Sequence, residues 1–241
     1  MTRVLYGLLW IVAIPLVVLR LAWRSRRQPG YRERVGERFG SYRPALAGPY
    51  LWVHAVSVGE TRAAVPLVAA LRERHPRHRI LITNMTPTGH ATSRELFGDD
   101  VERAWLPYDV GFAVRRFLRH YRPEMGIVLE TEIWPRLFEE AARAGIPVVL
   151  ANGRLSERSA RRYARAPALA RWAFSNLAGV AAQTEADARR FEAIGARAPV
   201  VTGNVKFDLA VPEAMLELGR LFRSRFGAAR TVWVAGSTRD G

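Results

Sequence analysis

The stretch that decides the fold is Leu51-Trp52-Val53-His54-Ala55-Val56-Ser57-Val58-Gly59-Glu60. Its apolar first half reads as a short buried strand. Ser57-Val58-Gly59-Glu60 reads as a tight turn with one carboxylate at its tip, and a helical pattern follows from Thr61 to Arg74. A strand that turns straight into a helix leaves backbone N–H groups and a carboxylate at the carboxyl edge of a sheet. In open α/β sheets that edge is where ligands bind.

Working outward, the same alternation repeats. Strands are expected at 50–56, 79–84, 101–106, 125–130, 147–151, 179–183 and 199–202. Helices are expected at 60–74, 88–97, 110–120, 134–144, 156–177 (broken near Pro167), 184–194 and 211–226. Val/Ile/Leu-rich strands separated by helices of this length imply a parallel sheet covered on both faces, a doubly wound, Rossmann-like α/β domain. No G-x-G-x-x-G follows the first strand, so the dinucleotide fingerprint is absent.

A parallel sheet brings all its strand ends to one edge. In order those ends are Ser57–Glu60, Met85-Thr-Pro-Thr-Gly89, Leu106-Pro-Tyr-Asp109, Glu130-Thr-Glu132-Ile-Trp-Pro135, Asn152-Gly-Arg154-Leu-Ser156, Gln183-Thr-Glu185 and Thr202-Gly-Asn-Val-Lys206. All carry polar, Gly or Pro residues, whereas the opposite edge carries ordinary links such as Ala144-Gly-Ile-Pro147. Several ends have a plain structural reading. Thr86-Pro87 is a capped helix start, Asn152 and Ser156 suit caps, and Thr184-x-x-Asp187 resembles a capping box with Asp in place of Glu. Glu130 and Glu132 stand apart, because two carboxylates at one strand end repel unless a cation or proton donor is near. Glu60 is either a first-turn acid favoured by the helix dipole or a general base for a hydroxyl nucleophile, its pKa raised by burial. Lys206 is placed to neutralise charge on an acidic group in transfer.

The formal net charge is +15, and Lys206 is the only lysine among 37 basic residues. An Arg/Ala-biased genome accounts for the choice of Arg over Lys. The excess of charge itself suits an anionic partner: nucleic acid, an anionic membrane face or a phosphorylated substrate. With no cysteine there is no disulfide, thiol catalysis or Cys-based zinc site. The five histidines show no H-x-x-x-H pairing, so no metal site is read. A nucleic-acid binder would rest on charge alone, with no aromatic-basic or zinc motif behind it.

Residues 4–19 carry no charge, and Leu21, Ala22 and Trp23 extend the apolar run past Arg20. That approaches the roughly 20 residues that span a bilayer. Arg20, Arg24, Arg26, Arg27, Arg32, Arg34 and Arg38 follow, which orients the body of the chain to the cytoplasm. An uncleaved membrane anchor over 1–23 is favoured over a signal peptide, since no Ala-x-Ala-like site follows the run. Pro15 leaves a shallow, monotopic insertion open. Residues 24–49 are read as a basic juxtamembrane segment, with a short helix over 31–39, that holds anionic head groups.

Taken together, His54-x-x-Ser57-Val-Gly-Glu60, Met85–Gly89, Leu106–Asp109, Glu130-Thr-Glu-x-Trp-Pro135, Asn152-x-Arg154-Leu-Ser156 and Gly203-Asn-x-Lys206-Phe-Asp208 closely resemble the Kdo (3-deoxy-D-manno-octulosonic acid) transferase family. The basic stretch Arg32–Gly40 and the apolar N-terminus match it as well, so the resemblance covers essentially the whole chain. It implies the N-terminal half of a GT-B glycosyltransferase of the bacterial inner membrane, on the cytoplasmic side. It also implies inverting transfer of Kdo from CMP-Kdo to lipid IVA, without a metal or cofactor. Glu60 would be the catalytic base, and Glu130 and Lys206 would stabilise the transition state. The implied layout is an acceptor-binding domain over 50–226 and, at 227–241, the start of a donor domain. Family members run to about two domains of ~150 residues plus linkers. The chain is therefore expected to be an N-terminal part that lacks most donor contacts and catalyses poorly or not at all alone. The alternative from another class is a non-catalytic, membrane-associated module that binds anionic lipid.

Overall fold

Strand β1, Tyr50–His54, is buried at all five residues and lies inside a seven-stranded parallel sheet. The other strands are β2 (Arg79–Asn84), β3 (Glu102–Trp105), β4 (Pro123–Leu129), β5 (Val148–Gly153), β6 (Gly179–Ala182) and β7 (Val200–Val201). Their order is β3-β2-β1-β4-β5-β6-β7. The chain winds outward from β1 in one direction and then, from β4, in the other. That makes β1/β4 the topological switch point of a doubly wound sheet. The computed structural model describes residues 2–208, 211, 213–227 and 229–235. They form two compact units, one up to Lys206 and one from Phe207 onward.

Period-2 alternation sorts β1 between two cores. Tyr50 and Trp52 face a cluster with Phe117, Phe138, Phe174 and Phe191, whereas Leu51 and Val53 face Ala64, Val68, Ile82 and Phe97. Trp52 lies so close to β4 that a Cβ on Gly126 would come within 2.8 Å of its ring. The covering helices are α2 (Val58–Arg74), α3 (Pro87–Phe97), α4 (Gly111–Tyr121), α5 (Pro135–Arg143), α6 (Glu157–Ala164), α7 (Pro167–Phe174) and α8 (Glu185–Ala193). The break between α6 and α7 falls where Pro167 opens a new first turn.

Two regions depart from the sequence reading. The expected helix over 31–39 is instead two 3-10 turns, Pro29–Arg32 and Val35–Phe39. They pack on edge strand β3 rather than lying in solvent. Glu37 Oε2 accepts from the Trp105 amide at 2.9 Å, the Trp105 indole donates to Glu33 O at 2.9 Å, and the Arg38 guanidinium lies 4.2 Å from the Trp105 ring. The segment so covers a sheet edge that would otherwise offer unpaired backbone groups. Arg38, counted above with the head-group-binding flank, is only 1% exposed and is a structural residue.

The N-terminal run forms one helix, α1 (Thr2–Arg27), which continues through Pro15 and is long and apolar enough to cross a membrane by length and composition. One of its faces nevertheless lies against the body of the same unit: Tyr6, Trp10, Ala13, Val17 and Leu21 are half-buried and Ser25 is buried. In the second unit, α9 spans Glu213–Phe226. Residues 231–235, within the expected start of a donor domain, have no ladder partner among the described residues, and 236–241 lie outside them.

Candidate active site

The turn after β1 is fixed from several sides. Thr86 donates to Val56 O at 3.1 Å, and the amide of Met85 donates to the same oxygen at 3.3 Å. The Asn84 amide group donates to Ala55 O at 2.6 Å and to Thr61 Oγ1 at 3.1 Å. Gly89, in the first turn of α3, backs onto this turn so closely that a Cβ would meet Val56 O at 3.1 Å. Glu60, in the first turn of α2, then folds back: its Oε2 accepts from the Val56 amide at 2.6 Å and its Oε1 from the Ser57 hydroxyl at 2.9 Å. It is 8% exposed. Burial pushes its carboxyl above the usual carboxylate range, the two hydrogen bonds oppose that rise, and the neighbouring Glu130 adds to it while Lys206 lowers it.

Across the switch point, β4 ends at Leu129 and Glu130 takes a left-handed backbone, φ +58°. That conformation is uncommon for a non-glycine residue and costs on the order of 1 kcal/mol. It is held by the Glu130 amide, which donates to Ala151 O at 2.9 Å, and by Lys206 Nζ, which donates to Glu130 Oε1 at 3.0 Å. Lys206 is itself placed through the chain before it, where the Val205 amide donates to Asn152 Oδ1 at 3.2 Å. Asn152 also has a left-handed backbone, φ +55°. The three residues singled out in the sequence, Glu60, Glu130 and Lys206, are thus brought together from α2, the end of β4 and the turn after β7.

The structure adds Glu132. Burial first, then the charges of Glu60 and Glu130, push its carboxyl up to about 7. Glu130 is paired with Lys206, and the carboxyls of Glu60 and Glu132 beside that pair are both raised. The Glu130-x-Glu132 spacing at a strand end was its signal in the sequence. His54, below the turn, is fully buried, and burial holds its imidazole down to about 3, so it is neutral at pH 7. Its Nδ1 lies 3.0 Å from Thr83 O, which can only accept, so Nδ1 carries the proton. Trp134 Nε1 and Asn152 Nδ2 are buried donors without a partner among the described residues.

Other strand ends serve the framework. Thr86, Ser156 and Thr184 cap α3, α6 and α8, accepting from the amides of Gly89, Ser159 and Asp187. Asp187 reaches back to its cap, its Oδ2 accepting from the Thr184 hydroxyl at 2.6 Å, while its Oδ1 accepts from the Leu155 amide at 2.9 Å. Asp109 is buried and accepts from the Arg136 and Leu137 amides at 2.9 and 2.8 Å, which caps α5 rather than facing a ligand. Among the described residues no group of three or more acidic or His side chains is placed to hold a metal ion. A cavity of about 680 Å³, lined by Arg115, Leu118, Arg122, Pro123 and Ile146 among others, lies at the amino ends of β4 and β5, the edge opposite the carboxylates.

Residues 33–209 match the family model described as "3-Deoxy-D-manno-octulosonic-acid transferase (kdotransferase)". A 3-deoxy-D-manno-octulosonic acid transferase of Bordetella pertussis is 41% identical over 251 residues, a match that spans 100% of this chain and 58% of that protein. One of Haemophilus influenzae is 36% identical over 245 residues, spanning 100% of this chain and 57% of that protein. The chain thus spans little more than half the length of these curated relatives. Among solved structures, a UDP-GlcNAc 2-epimerase from Neisseria meningitidis bound to UDP-GlcNAc shares the fold, with a TM-score of 0.51 at 14% identity over 73% of this chain and 51% of that one.

Proposed function

The chain belongs to the Kdo transferase family, and from that premise we propose that the complete protein transfers Kdo from CMP-Kdo to a lipid A precursor, lipid IVA, in lipopolysaccharide synthesis. The observation that carries the mechanism is the buried Glu60 carboxylate at the β1/β4 switch point, with the Glu130–Lys206 ion pair on the adjoining strand end. Glu60 takes the proton of an acceptor sugar hydroxyl. That oxygen bonds to the anomeric carbon of Kdo as the bond from that carbon to the CMP phosphate breaks, and configuration inverts. Glu130 stabilises positive charge that builds at the anomeric carbon. Lys206 offsets negative charge on the departing group.

In this reading, residues 50–226 serve the acceptor and a donor domain begins at 227. The enzyme works at the cytoplasmic side of the inner membrane, with no cofactor beyond its sugar donor. The test uses the full-length protein with CMP-Kdo and lipid IVA, product mass being read by mass spectrometry. The expected result is a product heavier by one or more Kdo residues, lost in Glu60→Gln with the fold retained. Transfer at the wild-type rate in Glu60→Gln would overturn the assignment of the base.

A further inference from the structure

α1 is apolar all round, and hydropathy alone cannot tell a helix that crosses a bilayer from one that lies on it. The contacts can. At its amino end, Arg3 pairs with Glu139 at 3.0 Å, the Tyr6 hydroxyl donates to Asp109 at 2.6 Å, and the Tyr6 ring packs edge-on against Trp172 at 5.3 Å. At its carboxyl end, Arg32 donates to Ser25 at 2.8 Å and Arg24 to the Tyr31 hydroxyl at 3.1 Å. Between them, Trp10 packs on Tyr108 at 5.9 Å. Tyr6 and Ser25 are 19 residues apart, roughly 28 Å along a helix. A bilayer core is about 30 Å thick. A spanning α1 would therefore put the Tyr6 clasp and the Ser25 clasp on opposite sides of the membrane, and one folded body could not hold both.

The residues facing away from the body form the opposite stripe. Leu5, Leu8, Ile11, Val12, Leu16 and Leu19 are 54–69% exposed. Soluble surfaces rarely carry so long an apolar stripe, and such stripes mark interaction sites. Arg20, Arg26 and Arg27 are exposed at the carboxyl end of the same helix, beside Trp23, and the chain carries +15 overall. An apolar stripe ending in arginines and an indole fits a helix lying in the head-group plane of an anionic leaflet.

We propose that α1 is an in-plane helix, clasped along its length to the body, whose outward face docks on one leaflet of an anionic bilayer. Leu5 and Leu9 of that face also line an apolar cleft of about 320 Å³ against Pro167 and Leu169 of α7. The docking surface thus continues from α1 onto the body itself. The clasp also reaches the site: Asp109, held by Tyr6, caps the helix that begins directly after Glu130–Trp134. The proposal concerns how the chain meets the membrane and does not depend on which sugar the protein transfers.

The chain has no cysteine, so single cysteines report cleanly. Thr2→Cys on α1 and Arg189→Cys on α8 are expressed in the full chain, and sealed membrane vesicles of both orientations are treated with an impermeant maleimide. Both positions are expected to label from the same side. In the vesicle-bound protein, Leu5→Cys with Leu169→Cys is expected to cross-link through a short bismaleimide. Labelling of Thr2→Cys only from the opposite side, or loss of the cross-link on the membrane, would overturn the proposal, since α1 would then have left the body to span. For the surface itself, purified chain is sedimented with phosphatidylcholine vesicles with and without a quarter phosphatidylglycerol. Binding is expected to drop at least tenfold without the anionic lipid, and likewise in Leu8→Asp/Val12→Asp/Leu16→Asp. The single variants Leu8→Asp and Leu16→Asp, each at an exposed position, give the same readout should the triple variant misfold. Wild-type binding by folded variants, or equal binding to both vesicle types, would overturn the docking surface.

Discussion

Glu130 and Glu139 stand nine residues apart in the chain, in opposite electrostatic surroundings. Glu139 is buried beneath three arginines: Arg3 at 3.0 Å, Arg136 at 3.0 Å and Arg143 at 2.9 Å. Glu130 pairs with a single lysine, Lys206, whose charge also reaches Glu60, while Glu132 feels only the two neighbouring carboxylates. In the first cluster three guanidinium groups meet one carboxylate, which joins α1 to α5. The second has too little positive charge, so burial and mutual repulsion raise the carboxyls of Glu60 and Glu132 toward working pH. A cluster built only for stability would be compensated like the first. Under-compensation is what proton transfer requires.

Substitutions in the two clusters sharpen the contrast. The largest effect is expected from Glu60→Gln in the full-length protein, which should lower Kdo transfer by about 10³-fold, with the thermal midpoint little changed. Next, Lys206→Met should lower transfer by about 10²-fold. It should also move the acid limb of the pH–rate profile to higher pH, because Lys206 lowers the Glu60 carboxyl. An unmoved limb would mean that the lysine and the base are not coupled. Glu139→Gln should act the other way round. It should cost about 2 kcal/mol of stability, below the ~3–5 for a fully buried pair because Arg3 and Arg143 are half exposed. That corresponds to a melting temperature lower by about 4–8 °C, with the pH–rate profile unshifted.

An effect confined to neutral and alkaline pH belongs to Glu132. Its folded-state carboxyl is raised from 4.5 to about 7. The neutral form is therefore favoured by folding: the stabilisation is full below the unfolded value and is lost as pH rises through about 7. Glu132→Gln should match the wild type near pH 4 and exceed it above pH 7 by on the order of 1–3 kcal/mol. Denaturation followed from pH 4 to 9 reads this difference, and equal stability at pH 8 would show that Glu132 is not held neutral.

Much of the framework around the second cluster was legible in the sequence. Seven strands fell within about two residues of their observed starts, because apolar runs bounded by turn residues carry that information locally. Glu60, Glu130 and Lys206 were visible as strand-end residues of a parallel sheet. What sequence did not carry was distance. Which strand ends adjoin is set by the order β3-β2-β1-β4, which alone makes the ends of β1 and β4 the switch point. Residues 29–40 read as part of a head-group-binding basic segment because their partner in the fold, Trp105, is 68 residues from Glu37. α1 looked like a plain anchor because the stripe that meets the body, Trp10 to Leu21, is as apolar as the stripe that does not. The left-handed backbone at Glu130 has no residue-type signal, since glycine is the usual marker of that conformation and none stands there.

If an under-compensated Glu60 is the base, the pH dependence of kcat/KM for Kdo transfer carries its signature. In the full-length wild type an acid limb is expected, set by one carboxyl titrating above the ordinary Glu value of 4.5. In Glu60→Gln that limb should vanish together with about 10³ of the rate. A Glu60→Gln enzyme that keeps both the limb and the rate would contradict Glu60 as the base.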